Sequence, residues 1–322
     1  MPAGLLVATE HERNQMSFPP TQDTTAPLAR SGPFQSGVSR RASRRTLLAA
    51  GVWTAPVVVV ATAAPTFAAS PCLSDTPYLL DWGSVLTPLT QVTAGVAAYV
   101  RVPSVTTGDV YVHFSTTANA ANAIDTARNL TLPPNTGTGT TQDPVVTDLG
   151  DLGGTVGGER GIRLQHNNRA AGAANAQVLT ISFRDGPSAA SPLRSVQGLT
   201  FSVTDIDSLT GQFAYSDRVS LSGTRTYVAD TNVTANVAGG GTATVSVLGA
   251  GTDADPWRLC LVNTTTDANV NIDENSAGAR VRVAYPGAVT SITLKYWSQT
   301  TATIYHRMFL SDFGFTARPS GC

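Results

Sequence analysis

Apolar residues alternate with polar ones in several short stretches of the chain, with the two-residue period of a strand that buries one face. In the clearest stretch, Leu199, Phe201 and Val203 point to the same side. The same alternation recurs in eight further stretches, which begin at Val110, Leu179, Val219, Val245, Trp257, Val281, Ile292 and Ile304. The last of these continues through His306, Met308 and Leu310, which predicts that His306 lies in the core or at an interface.

Turn-forming clusters separate these stretches, such as Asp185-Gly186-Pro187 and Ala238-Gly239-Gly240-Gly241. No helical stripe of apolar residues competes with the strands, and Ala118 to Arg128 is the nearest candidate for a single short helix. About ten strands at this spacing predict an all-β fold, an antiparallel two-sheet sandwich of the jelly-roll or Greek-key type. Residues 135–177 are rich in Gly, Thr, Asn and Asp and predict long surface loops with one or two short strands.

The N-terminal part has the layout of an export signal, with a basic segment, an apolar stretch and small residues before a cut. The segment Ser43-Arg44-Arg45-Thr46-Leu47-Leu48 resembles the twin-arginine export consensus. Thr66-Phe67-Ala68 supplies the small residues and predicts cleavage after Ala68. We therefore expect a leader over residues 1–68, and one β-sandwich domain over residues 69–322 that is secreted or held at the cell surface.

Two other fates of the leader compete with cleavage. The apolar stretch from Leu47 to Ala69 is long enough to remain as a membrane anchor, although Pro56 and Pro65 and its Ala-rich end favour removal. Once the leader is removed, we expect no transmembrane segment. Lipid attachment at Cys72 is disfavoured because Pro71 stands where a small residue is needed.

The charge balance argues against nucleic acid as a partner. The predicted mature chain has 15 basic and 19 acidic residues, a net charge of −4. Nucleic-acid binding requires clustered Lys and Arg on one face, and the sequence has no such cluster after the leader.

Three aspartates are the most distinctive polar residues of the domain. Asp205 and Asp207 follow the clearest strand, and Asp217 opens a later one. Carboxylates two residues apart at a strand end can converge on a calcium ion, which takes six to eight oxygen ligands. Alternatively, they accept hydrogen bonds from loop N–H groups or pair with Arg218, and so hold a corner of the sandwich. Calcium is the only cofactor that the sequence suggests.

Three short motifs together carry a resemblance: a strand at 201–207 that ends in Asp-Ile-Asp, Asp-Arg-Val at 217–219, and Leu-Ser-Asp-Phe-Gly-Phe at 310–315. In these motifs residues 198–318 resemble a group of bacterial surface β-sandwich domains. The resemblance implies a sandwich fold and a surface or secreted location.

We identify no catalytic residues. The mature histidines His113, His166 and His306 have no paired spacing, and no Gly-x-Ser-x-Gly elbow is present. Glycosidases use two carboxylates at a set separation, which a sequence does not reveal. Among the aromatic residues, Trp257 alternates with Leu259 and Leu261 and is expected in the core, whereas Trp297 is the better candidate for an exposed sugar-stacking ring.

Export makes a disulfide plausible among the three cysteines. Cys72 and Cys322 are the favoured pair because the two ends of a sandwich often lie together, and Cys260 with Cys322 is the alternative. A link between the ends would close a very long loop and add on the order of 4–5 kcal/mol in the chain-entropy picture.

The leading functional hypothesis is a non-enzymatic surface or secreted protein in adhesion, glycan contact or envelope structure, with a cell-envelope glycan or a surface protein as partner. The first alternative is a secreted carbohydrate-active enzyme on a jelly-roll scaffold. The second is a structural subunit of a surface layer or appendage.

Overall fold

A computed structural model describes residues 75–84, 86–119, 121–134, 146, 149, 160–167, 169–210, 214–301 and 305–321. The predicted leader, with Arg44, Arg45 and Ala68, lies outside these residues, as do Cys72 and Cys322. All described residues fall within one compact unit.

Strands dominate the described part of the chain, and its only helical element is one turn of 3-10 helix at Ala173–Asn175. The strands are β1 Thr76–Leu80, β2 Leu89–Thr93, β3 Ala97–Val102, β4 Val110–Thr117, β5 Ile162–Asn167, β6 Gln177–Arg184, β7 Val196–Thr204, β8 Ser208–Leu209, β9 Tyr215–Leu221, β10 Thr226–Ala229, β11 Val233–Asn236, β12 Thr242–Leu248, β13 Arg258–Leu261, β14 Val281–Tyr285, β15 Ser291–Ser298, β16 Tyr305–Leu310 and β17 Phe313–Ala317.

These strands form three antiparallel sheets. Sheet 1 has the order β1-β17-β7-β14-β10, and β16 joins it by pairing with both β7 and β5. Sheet 2 has the order β2-β3-β4-β6-β15-β9-β8. Sheet 3 contains only β11, β12 and β13. The sequence did not predict the third sheet.

Aromatic side chains from sheets 1 and 2 meet in one continuous core. Phe114 of β4 stacks on Phe313 of β17 with ring centroids 6.0 Å apart, and Phe183 of β6 meets Phe315 edge-on at 5.2 Å. Phe201, whose position the alternation predicted, is fully buried and contacts Phe313 at 5.0 Å. Contacts between aromatic rings stabilise the fold beyond the free energy gained by burying the rings. The predicted all-β sandwich is therefore confirmed, with sheets 1 and 2 as its two layers and sheet 3 as an addition.

The described residues from Ala118 to Arg128 form turns and not the short helix that the sequence allowed. The backbone there bonds outward: Asp125 N donates to Gln165 O at 3.2 Å, and Asn167 N donates to Ala123 O at 2.8 Å. Pairing with β5 thus takes up groups that a helix would use internally.

The expected exposure of Trp297 is wrong, since only 2% of its surface is accessible. Trp297 lies on β15, where the segment around Gly172 covers it through a bond from Gly172 N to Ser298 O at 2.9 Å. Trp257 is fully buried as predicted, whereas Leu261 at the end of β13 is 42% exposed.

Candidate functional site

The three aspartates predicted to act together all lie in the interior. Asp205, Asp207 and Asp217 are 6%, 3% and 0% exposed. Asp205 directly follows β7 with a left-handed backbone (φ 65°), a conformation that Asp tolerates better than most residues and that turns the chain out of the sheet. Ile206 then enters the core, and Asp217 N donates to Asp207 O at 3.0 Å. The strand end and β9 are thereby held side by side.

Asp207 is held by donors from three directions. Its Oδ2 accepts a hydrogen bond from Ile272 N at 2.9 Å. With the amide of Asn271 oriented to satisfy its neighbours, Asn271 Nδ2 donates to the same oxygen at 2.8 Å. The Tyr215 hydroxyl also donates to this carboxylate. Burial, with the nearby Asp217 as a second cause, raises the Asp207 pKa, and the hydrogen bonds from Tyr215 and Ile272 lower it.

Arg307 of β16 supplies positive charge beside Asp205. Its Nε lies 3.9 Å from Asp205 Oδ2, and its terminal nitrogen bonds to Glu274 Oε1. Burial and the neighbouring Asp207 both raise the Asp205 pKa, while Arg307 lowers it. One guanidinium therefore serves both Asp205 and Glu274, and it only partly offsets the effect of burial and Asp207 on the Asp205 pKa.

A chain of hydrogen bonds, which we call the inter-sheet chain, links Gln177, His166, His306, Asp217 and Tyr296. His166 Nδ1 lies 3.0 Å from Gln177 Oε1, and its Nε2 lies 2.9 Å from His306 Nε2. His306 Nδ1 is 2.8 Å from Asp217 Oδ1 and 2.7 Å from the Tyr296 hydroxyl. The two histidines belong to sheet 1 and the other three residues to sheet 2. The chain therefore bridges the two layers of the sandwich.

The partners of Gln177 determine where the protons of the histidines lie. Gln177 Nε2 donates to Thr116 Oγ1 at 3.0 Å and to Asn129 Oδ1 at 2.8 Å, so its Oε1 must face His166. His166 Nδ1 then carries the hydrogen, and in the neutral ring Nε2 is an acceptor. The hydrogen between the two rings consequently belongs to His306 Nε2.

A further proton must lie between His306 and Asp217. The Tyr296 hydroxyl has one hydrogen for three neighbours: Arg307 O at 2.8 Å, His306 Nδ1 at 2.7 Å and Asp217 Oδ1 at 3.1 Å. Whichever of them it serves, it does not lie between His306 and Asp217. The 2.8 Å contact between His306 Nδ1 and Asp217 Oδ1 would otherwise join two acceptors. The pair therefore shares a proton of its own.

Burial favours the carboxyl group of Asp217 as the holder of that proton. Burial lowers the His306 pKa to about 3 and raises the Asp217 pKa well above its usual range. Asp217 Oδ2 is buried with no hydrogen-bond partner, which a neutral carboxylic acid tolerates far better than a carboxylate. Burial thus favours a neutral inter-sheet chain over an ion pair between His306 and Asp217.

The remaining predictions concern a calcium site, a disulfide and membrane-spanning segments, and the described residues bear on each in a different way. Among the described residues, no group of three or more His, Cys, Asp or Glu side chains is arranged to hold a metal ion. Calcium at Asp205, Asp207 and Asp217 stays a prediction. Cys260 is a buried free thiol whose pKa burial raises, so it is unpaired in this structure. The favoured link between Cys72 and Cys322 lies outside the described residues. No helix in the described ranges is long and apolar enough to span a membrane.

Sequence reasoning missed the partners that complete the site, above all His166, Gln177 and Arg307. A signal for His166 was present, since Ile162, Leu164 and His166 alternate on one face just as Met308 and His306 do. The sequence predicts one or two short strands among surface loops over residues 135–177. β5 is such a strand, but it is buried along its whole length and not at the surface.

Comparisons with protein-family models, curated proteins and solved structures found no match to this chain.

Proposed function

We propose that the chain is an exported, non-enzymatic β-sandwich protein that contacts glycan at the cell surface or in the envelope. One observation carries the non-enzymatic part. The residues best suited to acid–base chemistry (Asp205, Asp207, Asp217, His166 and His306) are each at most 6% exposed. The two histidines and Asp217 contact one another across the sandwich, while Asp207 accepts a hydrogen bond from Ile272 N and Asp205 faces Arg307. In this proposal these groups serve the fold and not a dissolved substrate.

The carbohydrate-active enzyme is the weaker alternative for a physical reason. Glycoside hydrolysis requires two carboxyl groups that reach the same sugar, about 5–10 Å apart in an accessible cleft. The closely grouped carboxyl groups Asp205 and Asp207 are sealed in the interior. Support for the glycan contact comes from the polar, uncharged character of an open cleft on sheet 3, described below.

Export is tested by expressing the full chain in a bacterium that has the twin-arginine pathway. We expect the processed protein outside the cytoplasmic membrane, and retention of the precursor when Arg44→Lys and Arg45→Lys are combined, because paired arginines define this signal. The matched control combines Arg40→Lys with Arg41→Lys and should be exported normally. Normal export of the first variant would contradict the assigned signal.

Glycan contact is tested with the purified protein by co-sedimentation with insoluble polysaccharides and envelope preparations. Retention on a polysaccharide without release of reducing sugar supports the proposal. Release of reducing sugar would favour the enzyme instead. Absence of retention, together with ordered self-assembly of the protein, would favour a surface-layer subunit.

A further inference from the structure

Sheet 3 carries an open cleft whose lining contains no charged side chain. Its volume is about 670 Å³, within the range of small-ligand pockets. Two turns form the walls, one at residues 231–232 and the other at residues 263–266, and β12 and β13 form the floor. The lining residues are Thr231, Asn232, Ser246, Leu248, Leu261, Asn263, Thr264, Thr265 and Thr266.

Internal hydrogen bonds hold both walls in place. Asn232 N donates to Ser246 Oγ at 2.9 Å, which ties the first turn to the floor. In the second turn, Thr264 Oγ1 donates to Leu261 O at 3.1 Å and accepts from Thr266 N at 3.3 Å. Asn232 and Asn263 both have left-handed backbones, with φ of 55° and 59°. The cleft is therefore shaped before any ligand arrives.

Other polar side chains of the cleft have no partner within the described protein. The hydroxyls of Thr231, Thr265 and Thr266 and the amide of Asn263 make no intramolecular hydrogen bond there. Three hydroxyls and one amide offer both donors and acceptors. Leu248 and Leu261 add an apolar patch on the floor, where Leu261 is 42% exposed.

We propose that this cleft binds an uncharged saccharide unit. Sugar hydroxyls both donate and accept hydrogen bonds, as do the threonine and asparagine side chains of the walls, and the leucines can contact the C–H face of a sugar ring. An anionic sugar would require a cation, and none lines the cleft. The proposal rests on the glycan contact proposed above and gives it a place and a ligand class.

The expected affinity is weak because no aromatic ring lines the cleft for stacking. Exposed hydrogen bonds give little net free energy each, so a dissociation constant on the order of 1 mM is expected for a short oligosaccharide. Saturation-transfer NMR detects binding in this range. The probes are neutral oligomers of N-acetylglucosamine and of mannose, with oligomers of galacturonic acid as the anionic comparison.

The test variant combines Asn263→Ala with Thr265→Ala. The matched control combines Asn236→Ala with Thr242→Ala, which are the same residue types, exposed and paired across β11 and β12 but outside the cleft. We expect the neutral oligomers to bind the wild type and the control equally, and the test variant at least tenfold more weakly. Thr231→Arg should move the preference towards the anionic oligomer.

The outcomes separate this proposal from the one on which it rests. Binding to a neutral glycan that both double variants retain would overturn the cleft while leaving glycan contact intact. Preference of the wild type for the anionic oligomer would also overturn it. Failure of every polysaccharide and oligosaccharide to bind would overturn both proposals.

Discussion

The inter-sheet chain and the cleft on sheet 3 are opposite solutions to placing polar groups in a β-sandwich. In the inter-sheet chain, titratable side chains such as Asp217 and His306 are 0% and 4% exposed and nearly every polar atom has a partner. In the cleft, the side chains are uncharged and open, and Asn263 and Thr265 have no partner among the described residues.

The contrast shows that the side chains able to transfer protons are buried, whereas those of the cleft are accessible to a ligand. Groups that could transfer protons are used to join two sheets, where an unpaired polar atom costs free energy. Groups that can only exchange hydrogen bonds are left facing solvent. Changes in the inter-sheet chain should therefore alter stability, and changes in the cleft should alter binding.

The largest effect is expected from His306→Ala. It removes the central ring of the inter-sheet chain, leaves His166 and Asp217 without their partner, and opens a cavity, so the free energy of unfolding should fall by about 3–5 kcal/mol. Denaturant unfolding measures this. Tyr305→Ala, at the preceding and 42% exposed position, is the control and should cost less than about 1 kcal/mol. Equal losses for the two variants would refute a structural role for the inter-sheet chain.

Asp217→Asn tests the position of the shared proton. Asparagine resembles a neutral carboxylic acid, and its Nδ2 can donate to His306 Nδ1 as the acid does. We therefore expect the variant to fold and to stay within about 1 kcal/mol of the wild type near pH 4. A carboxylate at this position would instead make the substitution costly at every pH.

The pH dependence follows from the raised pKa of Asp217. The unfolded chain loses this proton near pH 3.9 and the folded chain keeps it, so the stability that it contributes is complete below about pH 4 and declines by about 1.4 kcal/mol per pH unit above it. The decline ends at the raised pKa. His306, whose folded pKa is about 3, acts in the opposite direction between pH 3 and about 6.5.

Comparing wild type with Asp217→Asn cancels the histidine contribution, because both proteins contain it. Unfolding curves from pH 4 to pH 9 should show the variant gaining stability relative to the wild type as the pH rises. A difference that does not change with pH would place the proton elsewhere.

A smaller loss, about 1–2 kcal/mol, is expected from Asp207→Asn, because the carboxyl group of Asp207 accepts hydrogen bonds from Ile272 N and Tyr215 that the substitution disturbs. We expect the melting temperature of the wild type to be the same with calcium as with a chelator. A calcium-dependent rise that disappears in Asp207→Asn would instead establish the metal site, since a bound ion stabilises the folded state by mass action.

The smallest effect on stability is expected in the cleft. The double variant Asn263→Ala with Thr265→Ala removes exposed groups that have no intramolecular partner, so unfolding should change by about 0.5 kcal/mol or less. A larger loss would mean that these side chains support the turn, which would remove the contrast between the two regions.

The sequence predicted the sheets well because burial imposes a two-residue period, as at Leu199, Phe201 and Val203. It also predicted that Asp205, Asp207 and Asp217 lie close together, since they flank successive strands. It could not predict His166 opposite His306, because that pairing joins residues 140 positions apart and depends on the register of β5 with β16. The predicted exposure of Trp297 was wrong for a related reason. The segment around Gly172, distant in the sequence, covers a face of β15 that alternation alone predicts to be exposed.

The pairing of β1 with β17 has a consequence for how the chain acquires its structure. Thr76 faces Ala317 and Leu80 faces Phe313, and β17 lies between β1 and β7 inside sheet 1. Sheet 1 cannot be completed until residues 313–317 have been synthesised, and contacts between such distant positions make folding slow. A chain that stops before residue 313 would leave β1 and residues 196–200 of β7 without the strand that pairs with both, and so as bare edges. Truncated products should therefore aggregate or be degraded, and not persist as a smaller folded form.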